Sequence, residues 1–72
     1  METYKNYIED CLEGLIDRAT DANHECENNP TDFNKGISIA YYNVLNFLLG
    51  QAEVFEIKNK LKKNIIEYVP YY

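Results

Sequence analysis

Residues 36–55, "GISIAYYNVLNFLLGQAEVF", decide the fold, because this stretch has helical spacing yet is apolar on almost every side. Its apolar residues recur at intervals of three and four, which places them on common faces of an α-helix. They form two adjacent rows: Phe33, Ile37, Ala40, Val44 and Phe47, and Tyr41, Leu45, Leu48, Ala52 and Phe55. One row can face a second helix, and the other then needs a further cover.

A second amphipathic segment precedes this one. Thr3 is a suitable helix cap, and six apolar residues then follow at alternating intervals of four and three: Ile8, Leu12, Leu15, Ala19, Ala22 and Cys26. That spacing is typical of a helix packed along one face. It predicts a first helix over about residues 3–25. Asn29 and Pro30 end the first helix and suit the cap and first position of a second, predicted over about residues 30–56.

The C-terminal part predicts a further helical segment over about residues 58–68. Leu61, Ile65 and Tyr68 have helical spacing, and Pro70 ends the pattern. Val54, Ile57 and Leu61 stay in phase with the second helix, which favours one continuous helix through residues 56–58, although the sequence leaves this open. The predicted fold is all-α: an antiparallel helical hairpin with a C-terminal helical segment, in a single domain of residues 1–72.

The second apolar row predicts self-association. A chain of 72 residues buries little surface, and small domains commonly depend on oligomerisation or another additional support. The cover for the second row is either the C-terminal segment or another copy of the chain, and we expect both. The predicted interface of a homodimer or higher oligomer comprises Tyr41, Val44, Leu45, Leu48 and Phe55.

The cysteines and the hydropathy pattern indicate a cytosolic protein. Cys11 and Cys26 lie 15 residues apart, which is about 20 Å along a helix and too far for a disulfide. We therefore expect reduced thiols. The apolar stretch 37–49 is shorter than the roughly 20 residues of a membrane span, and no secretion signal precedes it. The expected location is the cytoplasm of a host cell, with no membrane contact.

The chain has few residues of the types that usually carry catalysis or bind metals. The chain has one histidine, His24, and one serine, Ser38, and nothing in their spacing indicates a catalytic arrangement. "HECE", residues 24–27, lacks the paired spacing of a structural zinc site. No enzyme activity, cofactor or metal is predicted. A net charge of −5 and a single arginine, Arg18, disfavour direct nucleic-acid binding.

Acidic residues are concentrated in the first helix. Residues 1–32 hold nine acidic and two basic residues, a net charge of −7. We call Glu9, Glu13, Asp17 and Asp21, which are spaced by four, the acidic stripe. Three interpretations remain open: a solvated face, a docking surface for a basic partner, or a surface that pairs with the lysines of residues 58–63 in a second copy.

The middle of the chain carries a recognisable pattern: Phe33-x2-Gly36, then Ala40-Tyr41-Tyr42-x-Val44-Leu45, then Gln51-Ala52-x2-Phe55. It resembles a pattern in small uncharacterised proteins of phages and prophages from low-GC bacteria. Those proteins often follow the final phenylalanine with glycine, where this chain has Glu56. The resemblance implies a mobile-element origin and a function in binding, often against host defence.

These features predict a non-enzymatic phage-type protein that inhibits a host defence or nucleic-acid-handling protein. The acidic stripe is the predicted partner-binding surface. One alternative is an oligomeric sponge that sequesters a nucleotide-derived signal through Arg18, Lys35 and Tyr42. A second alternative is a structural or assembly protein.

Overall fold

The computed structural model describes residues 2–72, which form helices joined by short turns. Helix α1 spans Glu2–Asn28 and helix α2 spans Asp32–Val54. A single 3-10 turn, Lys58–Lys60, and a short helix α3, Lys63–Ile66, follow. α1 packs along α2 as an antiparallel hairpin, and α3 contacts α1. The predicted all-α hairpin with a C-terminal helical segment is therefore confirmed.

The start of α2 differs from the sequence prediction. The N-cap is Thr31 and not Asn29: Thr31 has extended backbone angles, and its hydroxyl accepts a hydrogen bond from the Asn34 backbone N–H at 3.1 Å. Asn29 instead shapes the turn before the cap, because its carbonyl oxygen accepts bonds from the Thr31 N–H and the Asn34 side-chain amide, both at 2.8 Å. A threonine hydroxyl, like an asparagine side chain, can accept a hydrogen bond from a free N–H of the first turn, and Thr31 is the residue that lies three positions before Asn34.

The end of α2 also differs, because the helix does not continue through residues 56–58. Glu56 has a φ of 60°, in the left-handed region. The Ile57 N–H donates to the Ala52 carbonyl at 2.9 Å and the Glu56 N–H to the Glu53 carbonyl at 3.0 Å. These two bonds form a Schellman motif, a C-terminal cap in which glycine usually occupies the left-handed position. Ile57 and Leu61 keep the helical spacing of the apolar residues of α2 although they lie beyond the helix, because the chain folds back onto the same core.

Residues 57–72, which we call the tail, return along one side of the hairpin. Leu61 and Ile65 are buried in a cluster with Leu12, Leu49 and Ala52, and Ile65 is completely inaccessible. Farther along, the Asn23 side-chain amide donates to the Tyr71 carbonyl at 3.2 Å. The tail is thus attached to the hairpin at its open end and again toward the turn that connects the two helices.

The two apolar rows of α2 have different environments. Leu45 and Ala52 of the 41–55 row are buried, and Tyr41 and Leu48 are half-buried. In the 33–47 row, by contrast, Phe33 and Phe47 are 75% and 63% exposed. The tail packs against Ala52 of the 41–55 row through Leu61 and Ile65, whereas the 33–47 row has no such cover from the tail. Leu45 must be removed from the predicted oligomer interface, since it is 0% exposed within a single chain.

The apolar row predicted for the first helix packs as expected. Leu12 and Ala19 are buried, and the other members, Ile8, Leu15, Ala22 and Cys26, are half-buried. Cys11 and Cys26 are both free thiols, and Cys11 is exposed.

Replacing Glu56 with glycine should stabilise the protein. Glycine has no Cβ to oppose the left-handed conformation, so Glu56→Gly should raise the free energy of unfolding by about 0.5–1 kcal/mol. The measurement is urea unfolding followed by circular dichroism. Asn46→Gly, at an exposed position inside α2, is the control and should lower the stability. A destabilising Glu56→Gly would contradict the left-handed cap.

Shortening Ile65 should destabilise the protein strongly. Ile65→Ala leaves a cavity beneath the tail and should cost about 2–5 kcal/mol in unfolding free energy. Tyr68→Phe is the matched control in the same tail. The Tyr68 hydroxyl is buried and has no hydrogen-bond partner among the described residues, so its removal should be neutral or slightly stabilising. Equal losses in the two variants would mean that the tail is not packed as described.

Candidate functional site

The four residues of the acidic stripe do not form one free surface. Glu9 is buried, with only 4% of its surface exposed. Glu13 is used within the chain: one carboxylate oxygen accepts from the Lys62 ammonium at 3.1 Å and the other from the Asn64 amide at 3.0 Å. Asp17 and Asp21 are exposed. The predicted partner-binding set therefore loses Glu9, and Glu13 is already paired.

The contact between Glu13 and the tail shifts the protonation of both partners. Hydrogen bonds from Asn64 and then from Lys62 lower the pKa of Glu13, and the reciprocal contact raises the pKa of Lys62. Attraction between the first helix and the lysines of residues 58–63 of a second copy was one of the three interpretations that the sequence left open. In the structure it is found within one chain, where it fastens the tail beside α1.

A different set of carboxylates lies on the outer side of α1. Asp10, Asp17 and Asp21 are exposed and are spaced by seven and four, so they lie on one helix face, which we call the acidic face. The ion pairs among the described residues are Lys58–Glu53 and Lys62–Glu13, which do not involve these three. Arg18, although close in sequence, donates to the Gly14 carbonyl at 3.1 Å. The acidic face thus has no ion pair within the described chain, although Lys62 is near enough for the charge of Asp10 to help raise its pKa.

The residues proposed for a nucleotide signal are not brought together in one chain. The Tyr42 ring packs edge to face against Tyr72, with ring centroids 4.7 Å apart, so it is engaged by the tail. Arg18 follows Cys11 by about two turns and therefore lies on the same face of α1 as Cys11. That face points away from Glu13, which contacts the tail. Lys35 is exposed near the start of α2. No shared pocket of these three is formed within the described chain.

A polar contact joins the two long helices near the turn that connects them. The Ser38 hydroxyl is buried and donates to the Asn23 side-chain carbonyl, whose amide holds the Tyr71 carbonyl. Ser38 therefore fixes the register of the hairpin and does not face solvent. His24 is exposed beside this region, near the end of α1.

An apolar groove lies on the side of the hairpin that the tail, apart from its first residue Ile57, leaves uncovered. It has a volume of about 320 Å³ and is lined by Tyr7, Ile8, Cys11, Leu12, Leu48, Gln51, Ala52, Phe55 and Ile57. Leu48 and Phe55 of the predicted oligomer interface lie here. Val44 is 44% exposed on the adjacent face, and Tyr41 is half-buried. The sequence prediction missed the α1 wall of this groove, which Tyr7 and Cys11, one turn apart, could have indicated.

The described residues contain neither a metal-binding cluster nor a membrane-spanning helix. No cluster of three or more histidine, cysteine, aspartate or glutamate side chains is positioned to hold a metal ion within residues 2–72. In the same part of the chain, no helix combines the length and apolar character that crossing a membrane requires.

Comparison of this chain with protein-family models, with curated proteins and with solved structures gives no match. The resemblance of residues 33–55 to small phage proteins stays a sequence-based prediction.

The pKa shift of Glu13 predicts a specific pH dependence of stability. A carboxylate whose pKa is lowered on folding stabilises the protein above its ordinary pKa of 4.5, and this stabilisation is lost as the pH falls through the lowered value. Glu13→Gln should therefore lower the urea midpoint at neutral pH, and the difference from the wild type should disappear in acid. Asp17→Asn, which removes an equal charge but no contact, is the control. A constant difference at every pH would contradict the assignment.

Proposed function

We propose that this chain is a non-enzymatic binding protein whose acidic face contacts a basic surface on another protein. The observation that carries the proposal is the exposure of Asp10, Asp17 and Asp21 on one face of α1 without an ion pair in the described chain. Asp17 and Asp21 are four residues apart, and like charges at this spacing destabilise a helix by a few tenths of a kcal/mol. A protein partner with lysines or arginines removes that repulsion on binding.

The geometry suits an electrostatically guided encounter. α1 is a helix of 27 residues, so the carboxylates keep fixed mutual positions, and binding does not have to order them. Complementary charges chiefly raise association rates and select partners, and their influence extends about 8 Å at physiological salt. Binding through the acidic face should therefore weaken as salt increases.

The partner that fits this surface is a protein with a basic groove. Proteins that handle nucleic acids present such grooves to phosphates, and a regular row of carboxylates offers a similar pattern of charge. Together with the resemblance to phage proteins, this chemistry supports inhibition of a host defence or nucleic-acid-handling protein in the host cytoplasm.

The positions of Ser38 and His24 favour binding over catalysis. The Ser38 hydroxyl is buried and hydrogen-bonded to Asn23, so it is not presented to a substrate. His24 is exposed and separate from it. The alternative of a nucleotide sponge gains no support from a single chain, because Tyr42 and Arg18 lie on opposite sides of the hairpin.

Reversing two charges of the acidic face should abolish partner capture. We expect Asp17→Lys/Asp21→Lys to capture at most about one tenth of the partner that the wild type captures from host lysate, because each lost ion pair becomes a repulsion. Captured proteins are identified by mass spectrometry, and circular dichroism checks that the helices remain intact.

The matched control is Glu27→Lys/Glu67→Lys, which makes the same change in net charge at exposed positions off the acidic face. It should retain the partner. Equal losses of captured partner in both variants would mean that net charge, and not the acidic face, determines binding. Unchanged capture by Asp17→Lys/Asp21→Lys would mean that the acidic face is only a solvated surface and would overturn the proposal.

A further inference from the structure

One face of α2 is apolar, exposed and uncharged. It points away from α1, and we call five of its residues the outer stripe: Phe33, Gly36, Ala40, Val44 and Phe47. Half-buried Gln51 separates them from exposed Val54 farther along the same face. Phe33 and Phe47 are 75% and 63% exposed, and Val44 is 44% exposed. Lys35 is the one charged residue between positions 33 and 52, and it lies on another side of the helix. Exposed apolar side chains in a contiguous stripe mark an interaction surface.

The outer stripe is symmetric about its middle residue. Its intervals are three, four, four and three, with a phenylalanine at each end and Ala40 at the centre. In a two-fold interface the contact of residue i with residue j is repeated as the contact of j with i. When two such helices cross antiparallel at Ala40, Phe33 meets Phe47 of the partner subunit and Gly36 meets Val44 of the partner subunit. The stripe is therefore complementary to itself in shape.

We propose that the outer stripe is the docking surface for a second copy of this chain, with the two α2 helices antiparallel and the two-fold axis at Ala40. Gly36 is compatible with this arrangement. A Cβ built on it meets no atom within 4 Å, so packing inside the chain does not require a glycine there. Glycine weakens the interior of a helix, but Gly36 would allow the backbone of a second helix to approach closely.

The exposed area agrees with a missing partner. The chain exposes 5274 Å², whereas a monomeric protein of 8.5 kDa exposes about 4,700 Å². The excess of about 600 Å² approaches the roughly 800 Å² that each partner buries in a standard interface. Each copy has a net charge of −5, but Asp10, Asp17 and Asp21 lie on α1 and away from the stripe.

The first test measures the molecular mass by sedimentation equilibrium from about 1 to 200 µM, which brackets micromolar dissociation constants. The wild type should be a dimer at the upper end. Ala40→Glu places two carboxylates together on the axis, and we expect its dissociation constant to rise at least about 100-fold with unchanged helical content. Asn46→Glu introduces the same charge at an exposed position of α2 off the stripe and should dimerise like the wild type.

The second test fixes the orientation by disulfide formation in a Cys11→Ser/Cys26→Ala background. Ala40→Cys should link two copies, because the axis passes through this residue. Phe33→Cys should not link to itself: seven residues from the axis, the two copies lie about 20 Å apart, beyond the roughly 7 Å that a disulfide spans. A parallel dimer would link Phe33→Cys and overturn the proposal.

Other outcomes also decide the matter. A wild type that remains monomeric throughout, or an Ala40→Glu variant that dimerises like the wild type, would overturn the proposal and leave the stripe to a different protein or to solvent. The proposal does not rest on the acidic face. Ala40→Glu leaves Asp17 and Asp21 unchanged, so loss of the dimer with retained capture of a host protein separates the two surfaces.

Discussion

The burial of Ile65 and Leu61 beneath the tail is the interaction on which the rest of this small fold depends. Two helices share only one interface, and in a chain of this size that interface alone buries little surface. The tail adds a third element over Leu12 and Leu49 and so creates a cluster in which Ile65 is fully inaccessible. The hydrogen bond of Asn23 to Tyr71 and the contact of Glu13 with Lys62 have their geometry only because the tail is already in place.

The direction of the tail depends on one residue whose conformation the sequence does not show. Periodicity correctly predicted the hairpin, because the rows of α1 and α2 record which faces are buried. It failed at Glu56, since glutamate gives no indication of a left-handed cap, and since Ile57 and Leu61 keep the helical phase for a different reason: they pack back on the core. The misplaced cap at Asn29 has a similar origin, because Asn29 and Thr31 have the same capping chemistry and only the geometry selects Thr31.

The sequence predicted the chemical character of the candidate sites better than it predicted which residues form them. The surplus of acid in residues 1–32 and the lysines of residues 58–63 indicated attraction between the two parts, and the structure contains it as the contact of Glu13 with Lys62. Sequence cannot distinguish a contact within a chain from one between copies, because both satisfy the same charges. Nor did spacing by four separate buried Glu9 from exposed Asp10, since neighbouring positions on a helix differ by about 100° and the boundary of the buried face falls between them.

The tail also determines which surfaces are left for partners. It occupies one side of the hairpin and neutralises Glu13, so the free carboxylates are those on the outer side of α1. The apolar residues that it does not cover lie on the outer side of α2 and in the adjoining groove. The acidic face and the outer stripe belong to different helices and have opposite chemistry, one charged and one apolar. Because neither requires the side chains of the other, occupying one does not remove the other, and a dimer joined through α2 would present two acidic faces. Two such faces can engage two sites on an extended basic partner, which strengthens binding without any additional contact in a single chain.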